Sequence, residues 1–285
     1  MADITAAMVK DLRERTGLGM MDCKKALVEA NGDSELAIEN LRKSSGMKAA
    51  KKAGRIAADG LLGCKIDGTT GVIVEVNCET DFAAKNEDFV AFVGTVTDKV
   101  FETGITDIAE LGLEAERESL VQKIGENISI RRAEVFKDEG QVVSYIHATT
   151  GKIGVVVALE GGNEELGKDI AMHIAASNPS VVNPDDAPAD LIEKEREIYT
   201  AQAQESGKPP EIIEKMIDGR IRKYLAEISL VEQPFVKDGD TKVGALLKKE
   251  GATVNRFVRY EVGEGIEKEE DDFAAEVQKQ LGGEA

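Results

Sequence analysis

Residues 60–71 read Gly-Leu-Leu-Gly-Cys-Lys-Ile-Asp-Gly-Thr-Thr-Gly, and residues 140–151 read Gly-Gln-Val-Val-Ser-Tyr-Ile-His-Ala-Thr-Thr-Gly, 80 positions further on. After three extra residues the match resumes. Gly154-Val155-Val156-Val157-Ala158-Leu159 parallels Gly71-Val72-Ile73-Val74-Glu75-Val76. A third piece recurs in the same order. Leu120-Val121-Gln122-Lys123-Ile124-Gly125 leads into Ile128-Ser129-Ile130-Arg131, and Leu246-Leu247-Lys248-Lys249-Glu250-Gly251 leads into Phe257-Val258-Arg259-Tyr260. Each copy spells two strands and a helix, then a helix, a glycine stop and a strand. Such a chain is restricted to an α+β fold of two related halves, each a small antiparallel sheet covered by helices.

The local patterns agree. Leu62, Cys64 and Ile66 alternate, Asp67 to Gly71 turns the chain, and Val72, Val74 and Val76 alternate back, which predicts a hairpin. Phe89, Phe92, Val93, Val96 and Val100 share one side of a predicted helix over Phe82 to Phe101. In the second half, Leu166, Ile170, Ile174 and Ala175 mark the matching helix, and Asn178-Pro179 closes it.

Three segments lie outside the repeat. Residues 1–54 read as three short helices, with Ile4, Met8, Val9 and Leu12 on the first. Thr16-Gly17-Leu18-Gly19 breaks it, Asn31-Gly32 stops the second, and Asp33 or Ser34 caps the third. Lys43 to Arg55, basic and rich in small residues, reads as a linker, with a helical form open to it. Leu191 to Gln204 and Ile212 to Leu225, joined by Ser206-Gly207-Lys208-Pro209-Pro210, read as an inserted helical hairpin. The tail is acidic, with a short helix from Asp272 to Leu281. The expected domains are therefore 1–54, 55–140, 141–179 with 229–263, the hairpin 180–228, and the tail 264–285.

Charge limits the partners. Against 54 acids stand 36 bases, a net charge of −18. A chain that grips phosphate backbones needs clustered Lys and Arg. A local patch from Lys48 to Arg55 exists, but the whole chain should be repelled by nucleic acid and anionic lipid. No run of about 18 apolar residues occurs, so no membrane span is expected. Met1-Ala2-Asp3-Ile4-Thr5 lacks the basic and apolar regions of a secretory leader. Cys23, Cys64 and Cys78 are far apart and odd in number, which fits reduced thiols in the cytoplasm.

Catalytic constellations are missing. There is no GxxxxGK[ST], no GxGxxG after a strand and no GxSxG. His147 and His173 are the only histidines, too few for a histidine-based metal site. No cofactor is expected, and the enzyme reading is poor. A binding module makes exposed apolar residues the question. Met20-Met21 either packs inward or offers an adaptable partner surface. His147 reads as a partly exposed polar residue near a turn. Asn77-Cys78-Glu79-Thr80-Asp81-Phe82-Ala83-Ala84 joins a strand to a helix. Thr80 or Asp81 can cap that helix, and Asp81 suits its positive end. Asp272-Phe273-Ala274-Ala275 in the tail repeats the same start, so Phe82 is either an ordinary helix-start residue or a side chain held out for a partner.

The segment Arg13-Glu14-Arg15-Thr16-Gly17-Leu18-Gly19-Met20-Met21-Asp22-Cys23-Lys24-Lys25-Ala26-Leu27 resembles the N-terminal signature of bacterial elongation factor Ts. So do Glu75-Val76-Asn77-Cys78-Glu79-Thr80-Asp81-Phe82, Ile124-Gly125-Glu126-Asn127-Ile128, Met172-His173-Ile174-Ala175-Ala176-Ser177, Gln233-Pro234-Phe235 and Val262-Gly263-Glu264-Gly265-Ile266. These matches fall in order along nearly the whole chain. One departure is visible: the family usually reads Thr-Asp-Phe-Val, and here Ala83 stands in place of Val.

The resemblance implies a guanine-nucleotide exchange factor for elongation factor Tu, with an N-terminal domain similar to ubiquitin-associated domains. It implies that Asp81 and Phe82, flanked by Thr80 and Ala83, push between elements of the GTPase near its Mg2+ site. His147 and the Ile124-Gly125 turn would add contacts nearby, and Met20, Met21 and Lys24 would touch the GTPase domain. It leaves the hairpin two uses, a homodimer contact or packing on the partner. The competing classes are a non-catalytic or chaperone-like module for a translation GTPase, a nucleic-acid-binding translation protein, and a hydrolase.

Overall fold

The structure, a computed structural model, describes residues 4–137, 140–204 and 209–267. Helices α1 (Ala6–Thr16), α2 (Met20–Glu29) and α3 (Ser34–Lys52) open the chain. Thr5 caps α1, and Asp33 caps α3 by accepting from the amides of Glu35 and Leu36. Val9, Leu12, Leu18, Cys23, Ala26, Leu27, Ala37 and Leu41 form their shared core. Of the two forms open to the stretch from Lys43, the structure takes the helical one: as far as Lys52 it is the second half of α3. Its small residues let the helix lie close to α6 (Glu114–Ile124): Ala49 is buried, and a Cβ added at Gly46 would meet the Glu118 carboxylate at 2.9 Å.

The first sheet holds β1 (Asp59–Asp67), β2 (Thr70–Cys78) and β3 (Ile128–Phe136), all antiparallel, in the order β1-β2-β3. The second holds β4 (Gln141–Ile146), β5 (Ile153–Glu160) and β8 (Thr253–Glu261) in the order β4-β5-β8. The β1–β2 turn is tighter than expected, since pairing runs to Asp67↔Thr70 across Gly68-Thr69. The continuous helix expected from Phe82 to Phe101 is two helices. α4 (Asp81–Ala84) ends, and α5 (Glu87–Thr103) begins afresh with the Asn86 side chain accepting from the Asp88 amide at 2.9 Å. Asn competes with helical hydrogen bonding, and here it restarts the helix as a cap.

In the second half, α7 (Glu164–Ser177) covers the sheet and ends at Asn178, whose φ is +46°. α8 (Ala189–Gln204) and α9 (Pro210–Ile228) form the inserted hairpin, zipped by Ala203, Ile217 and Ile221. The short strands β6 (Pro234–Phe235) and β7 (Asp238–Lys242) and the helix α10 (Val243–Lys249) return the chain to β8. The helix expected over Asp272 to Leu281 lies outside the described residues.

The repeat is deeper in three dimensions than in one. β2 and β3 slip register between Glu75 and Val76; β5 and β8 slip between Ala158 and Leu159, the matching step. The sheets pack face to face over Leu62, Ile73, Phe136, Val142, Val156 and Tyr260. Two glycines permit that approach. A Cβ on Gly71 would lie 2.6 Å from Val142; one on Gly154 would lie 2.9 Å from Leu62. These contacts exchange under the repeat. So do two ring contacts, with Arg132 over Tyr260 at 3.9 Å and Arg256 over Phe136 at 4.0 Å. The halves thus meet across an internal approximate two-fold.

Candidate functional site

β2 ends at Cys78, and the chain turns a corner into α4. Thr80 caps α4, its hydroxyl oxygen accepting from the Ala83 amide at 3.2 Å. Four residues cannot hold a helix by themselves, because nucleation is unfavourable. Ala83 and Ala84 sink into the core of the first half, which sets which way the turn faces. Phe82, on the opposite side, is 81% exposed. Of the expected quartet, Ala83 thus lies inward, while Phe82 stands out with Thr80 and Asp81 beside it. Burying a Phe side chain is worth about 1.5–3 kcal/mol, so an exposed one is a feature without reward in the isolated chain.

The matching corner of the second half shows what the fold itself needs. There Asn163 caps α7 by accepting from the Leu166 amide at 2.9 Å, as Thr80 does for Ala83. The residue at the place of Phe82 is Glu165, also exposed. The corner therefore folds with a charged residue at that position.

Asp81 and Lys85 pair at 2.7 Å, and the Lys85 Nζ stands 5.9 Å from the Phe82 ring centroid. The hydrogen bond from Lys85 holds the Asp81 carboxyl below its usual range and raises the Lys85 ammonium. The site is thus an aromatic ring flanked by an ionised acid and a base.

The loop that enters β3 at the same end of the sheet, where Ile128 pairs with Cys78, grips this corner. Gly125 ends α6 with a φ of +87°. Next, Glu126 Oε2 accepts from the amides of Glu79 at 3.1 Å and Thr80 at 3.0 Å, and its Oε1 accepts from the Thr80 hydroxyl at 2.7 Å. In return, Glu79 Oε1 accepts from the Asn127 amide at 2.6 Å. Asn127 donates to the carbonyls of Ala53 and Arg55, and Lys52 donates to that of Gly125. Ile124 is half-buried and Gly125 exposed.

His147 sits one residue past β4, in the loop before β5, with Nδ1 3.1 Å from the Thr150 hydroxyl. That loop ends at Lys152, which pairs with Asp59 at 2.9 Å; Asp59 is the partner of Cys78 across the sheet. His147's loop therefore leans toward the same end of the first sheet. Met20, Met21 and Lys24 line a separate groove on the N-terminal helices, with Ile4, Val9, Lys10 and Arg13. Both methionines are exposed, Met21 by 74%. Several bases of the Lys48 to Arg55 patch are engaged internally: Lys48 pairs with Asp22 and Arg55 with Glu79.

Burial pushes the thiols of Cys64 and Cys78 up to about 12, which keeps both protonated and unreactive. Among the described residues, no cluster of His, Cys, Asp and Glu is placed to hold a metal ion, and no helix is long and apolar enough to cross a membrane. Sequence reasoning singled out Phe82, Met20 and Met21 but missed the grip of Glu126 and Glu79. Its signal is a length difference in the repeat. Three residues separate Gly125 from Ser129, the partner of Asn77, whereas one separates Gly251 from Thr253, the partner of Glu160.

Comparisons with known proteins agree with the motifs. Residues 79–264 match the family model described as Elongation factor TS. The chain is 63% identical to the Elongation factor Ts of Hahella chejuensis, over 99% of this chain and 100% of that one. It is 62% identical to that of Marinobacter nauticus over 97% of each, and 56% identical to that of Actinobacillus succinogenes over 100% of each. With most of its length matched by the family model and nearly all of it by these relatives, the chain belongs to the elongation factor Ts family.

Proposed function

We propose that this chain is a guanine-nucleotide exchange factor that binds elongation factor Tu in its GDP form and promotes GDP release in the cytoplasm. The observation that carries the reading is the exposure of Phe82 at a corner whose counterpart does without an aromatic. GDP is held by backbone amides at its phosphates and by Mg2+, which demands near-ideal octahedral geometry. A Phe pushed between the loops that supply that geometry stabilises their displaced arrangement by its own burial. Asp81 beside it repels the phosphate charge and competes for donors. Met20, Met21 and Lys24 dock on the GTPase domain, and Ile124, Gly125 and His147 make the contacts around the wedge. Linkage makes the effect reciprocal: a factor that weakens nucleotide binding is itself weakened by nucleotide, so GTP binding releases it. No covalent bond changes, so the factor needs neither nucleophile nor cofactor. The hairpin leaves Ile198 and Ile212 exposed, and these residues suit packing against the partner or a second copy.

The test is stopped-flow release of fluorescent GDP from elongation factor Tu. Wild type should accelerate release, and Phe82→Ala should lose roughly 30-fold of that acceleration, the loss expected for truncating a hot-spot residue, while still binding. Equal acceleration by both would move the activity to the Met20-Met21 and His147 surfaces. Binding without acceleration by either would make the chain a partner-binding or chaperone-like module.

A further inference from the structure

We infer that Glu126 is a positioning residue for the Phe82 wedge, a role that rests on the exchange reading above. The amides of Glu79 and Thr80 precede α4 and have no strand or helix partner of their own. One carboxylate takes both, at 3.1 and 3.0 Å. Its second oxygen takes the Thr80 hydroxyl proton at 2.7 Å. That contact sets the hydroxyl rotamer and aims the free lone pair at the Ala83 amide, 3.2 Å away. Glu126, Thr80 and Ala83 are thus a relay that ends one residue after Phe82. Hydrogen bonds to an ionised acceptor are about twice as strong as neutral ones.

The repeat isolates this feature from the fold. In the second half, Ala252 follows Gly251 and offers no side-chain acceptor. There the corner rests backbone on backbone, close enough that a Cβ on Gly161 would lie 2.2 Å from the Gly251 carbonyl oxygen. The half that carries Phe82 carries two additional residues at this loop, and the two residues that follow Gly125, Glu126 and Asn127, are the ones that hold the corner. Glu126 has a further consequence through its neighbours. The same loop bears Ile124 and Gly125, and Asn127 ties it to the end of the N-terminal helices at Ala53 and Arg55. The wedge and the N-terminal groove are therefore referenced to one loop, which fixes their spacing toward a rigid partner.

Two measurements test the assignment. In the free chain, amide exchange at Ala83, Ala84, Lys85 and Asn86 should quicken at least ~10-fold in Glu126→Ala, with global unfolding little changed. Unchanged exchange at these amides overturns the relay, whatever the activity of the protein. In GDP release from elongation factor Tu, Glu126→Ala should lower the maximal rate ~10-fold with the half-saturating concentration within ~3-fold. Glu126→Gln, which keeps size and one acceptor oxygen, should fall between. Adding Glu126→Ala to Phe82→Ala should lower the rate no further, because the carboxylate acts through the ring. A multiplied loss in the double variant, or a wild-type rate in Glu126→Ala, overturns the positioning role. Should wild type itself not accelerate release, the exchange reading falls, and the amide measurement still decides whether Glu126 holds the corner.

Discussion

At the bulge of the first sheet stands Glu75; at the matching bulge of the second stands Ala158. Both face an arginine across the strand, Arg132 and Arg256. Glu75 has no exposed surface, and it binds Arg131 at 3.0 Å, Arg132 at 2.5 Å and the Gly263 amide at 2.9 Å. Arg256 stands opposite Ala158 and reaches the Val135 carbonyl and Glu134 of the other half. The same scaffold thus accepts a small apolar residue or a charge cluster at one site. The cluster does something the alanine cannot: it fastens the segment after β8 to the first half. A buried ion pair is weak evidence for stability but expensive to break. The difference therefore reads as a choice of connection between halves.

Removing the cluster gives the largest effect. Glu75→Ala leaves Arg131 without its acid and Arg132 with only Glu264, at 3.3 Å, and should lower stability by about 3 kcal/mol in urea unfolding. A loss below about 1 kcal/mol would make the two bulges equivalent. The sheet–sheet glycines come next. Gly71→Ala and Gly154→Ala should each cost about 1–3 kcal/mol, with Gly71 the costlier. Its Cβ would overlap Val142 at 2.6 Å and Ile66 at 2.7 Å, against 2.9 and 3.2 Å for the nearest atoms at Gly154. The reverse order would show that the two-fold relaxes unequally.

Acid should separate the halves more gently. His173 is buried in the second half, with Nε2 2.9 Å from Gln233 Oε1 and Nδ1 accepting from the Val236 amide at 3.2 Å. Burial lowers its pKa from 6.5, only partly opposed by the bond to Gln233. The unfolded chain then takes a proton that the folded chain refuses. Stability is full above about 6.5 and declines as pH falls toward the folded value, at no more than about 1.4 kcal/mol per pH unit. For Glu75, burial alone would raise the carboxyl, but the bonds from Gly263, Asn77, Arg131 and Arg132 outweigh it and hold the pKa below 4.5. Its contribution persists above that value and is lost as pH falls through the folded one. Hydrogen exchange across a pH series should therefore show α7 and the β6–β7 strands loosening first, as pH falls below about 6.5, and β2–β3 only below about 4.5. His173→Asn should flatten the first slope. Simultaneous loosening would show that the halves act as one cooperative unit.

The hairpins, the caps at Asp33 and Thr80, and the core faces of α5 and α7 were legible because they are local: alternation, helical spacing and a capping side chain all lie within a few residues. The end of α3 was legible only as one of two alternatives. Its basic, small-residue composition resembles a linker, and only packing on α6 rewards the helix. The restart at Asn86 was missed because Phe82 and Phe89 stand seven residues apart, a helical spacing that runs straight across it. Phe82 was legible as a question, since its motif serves equally well as a plain helix start.

The α+β class, the two-fold repeat and the family could be read along the chain, because periodicity and ordered motifs are properties of the chain. That Phe82 faces outward, that Glu126 holds its corner and that Glu75 joins the halves emerged only once the elements were packed. Exposure, and hydrogen bonds between residues about 50 to 190 positions apart, depend on which surfaces meet, and one-dimensional spacing carries no term for that.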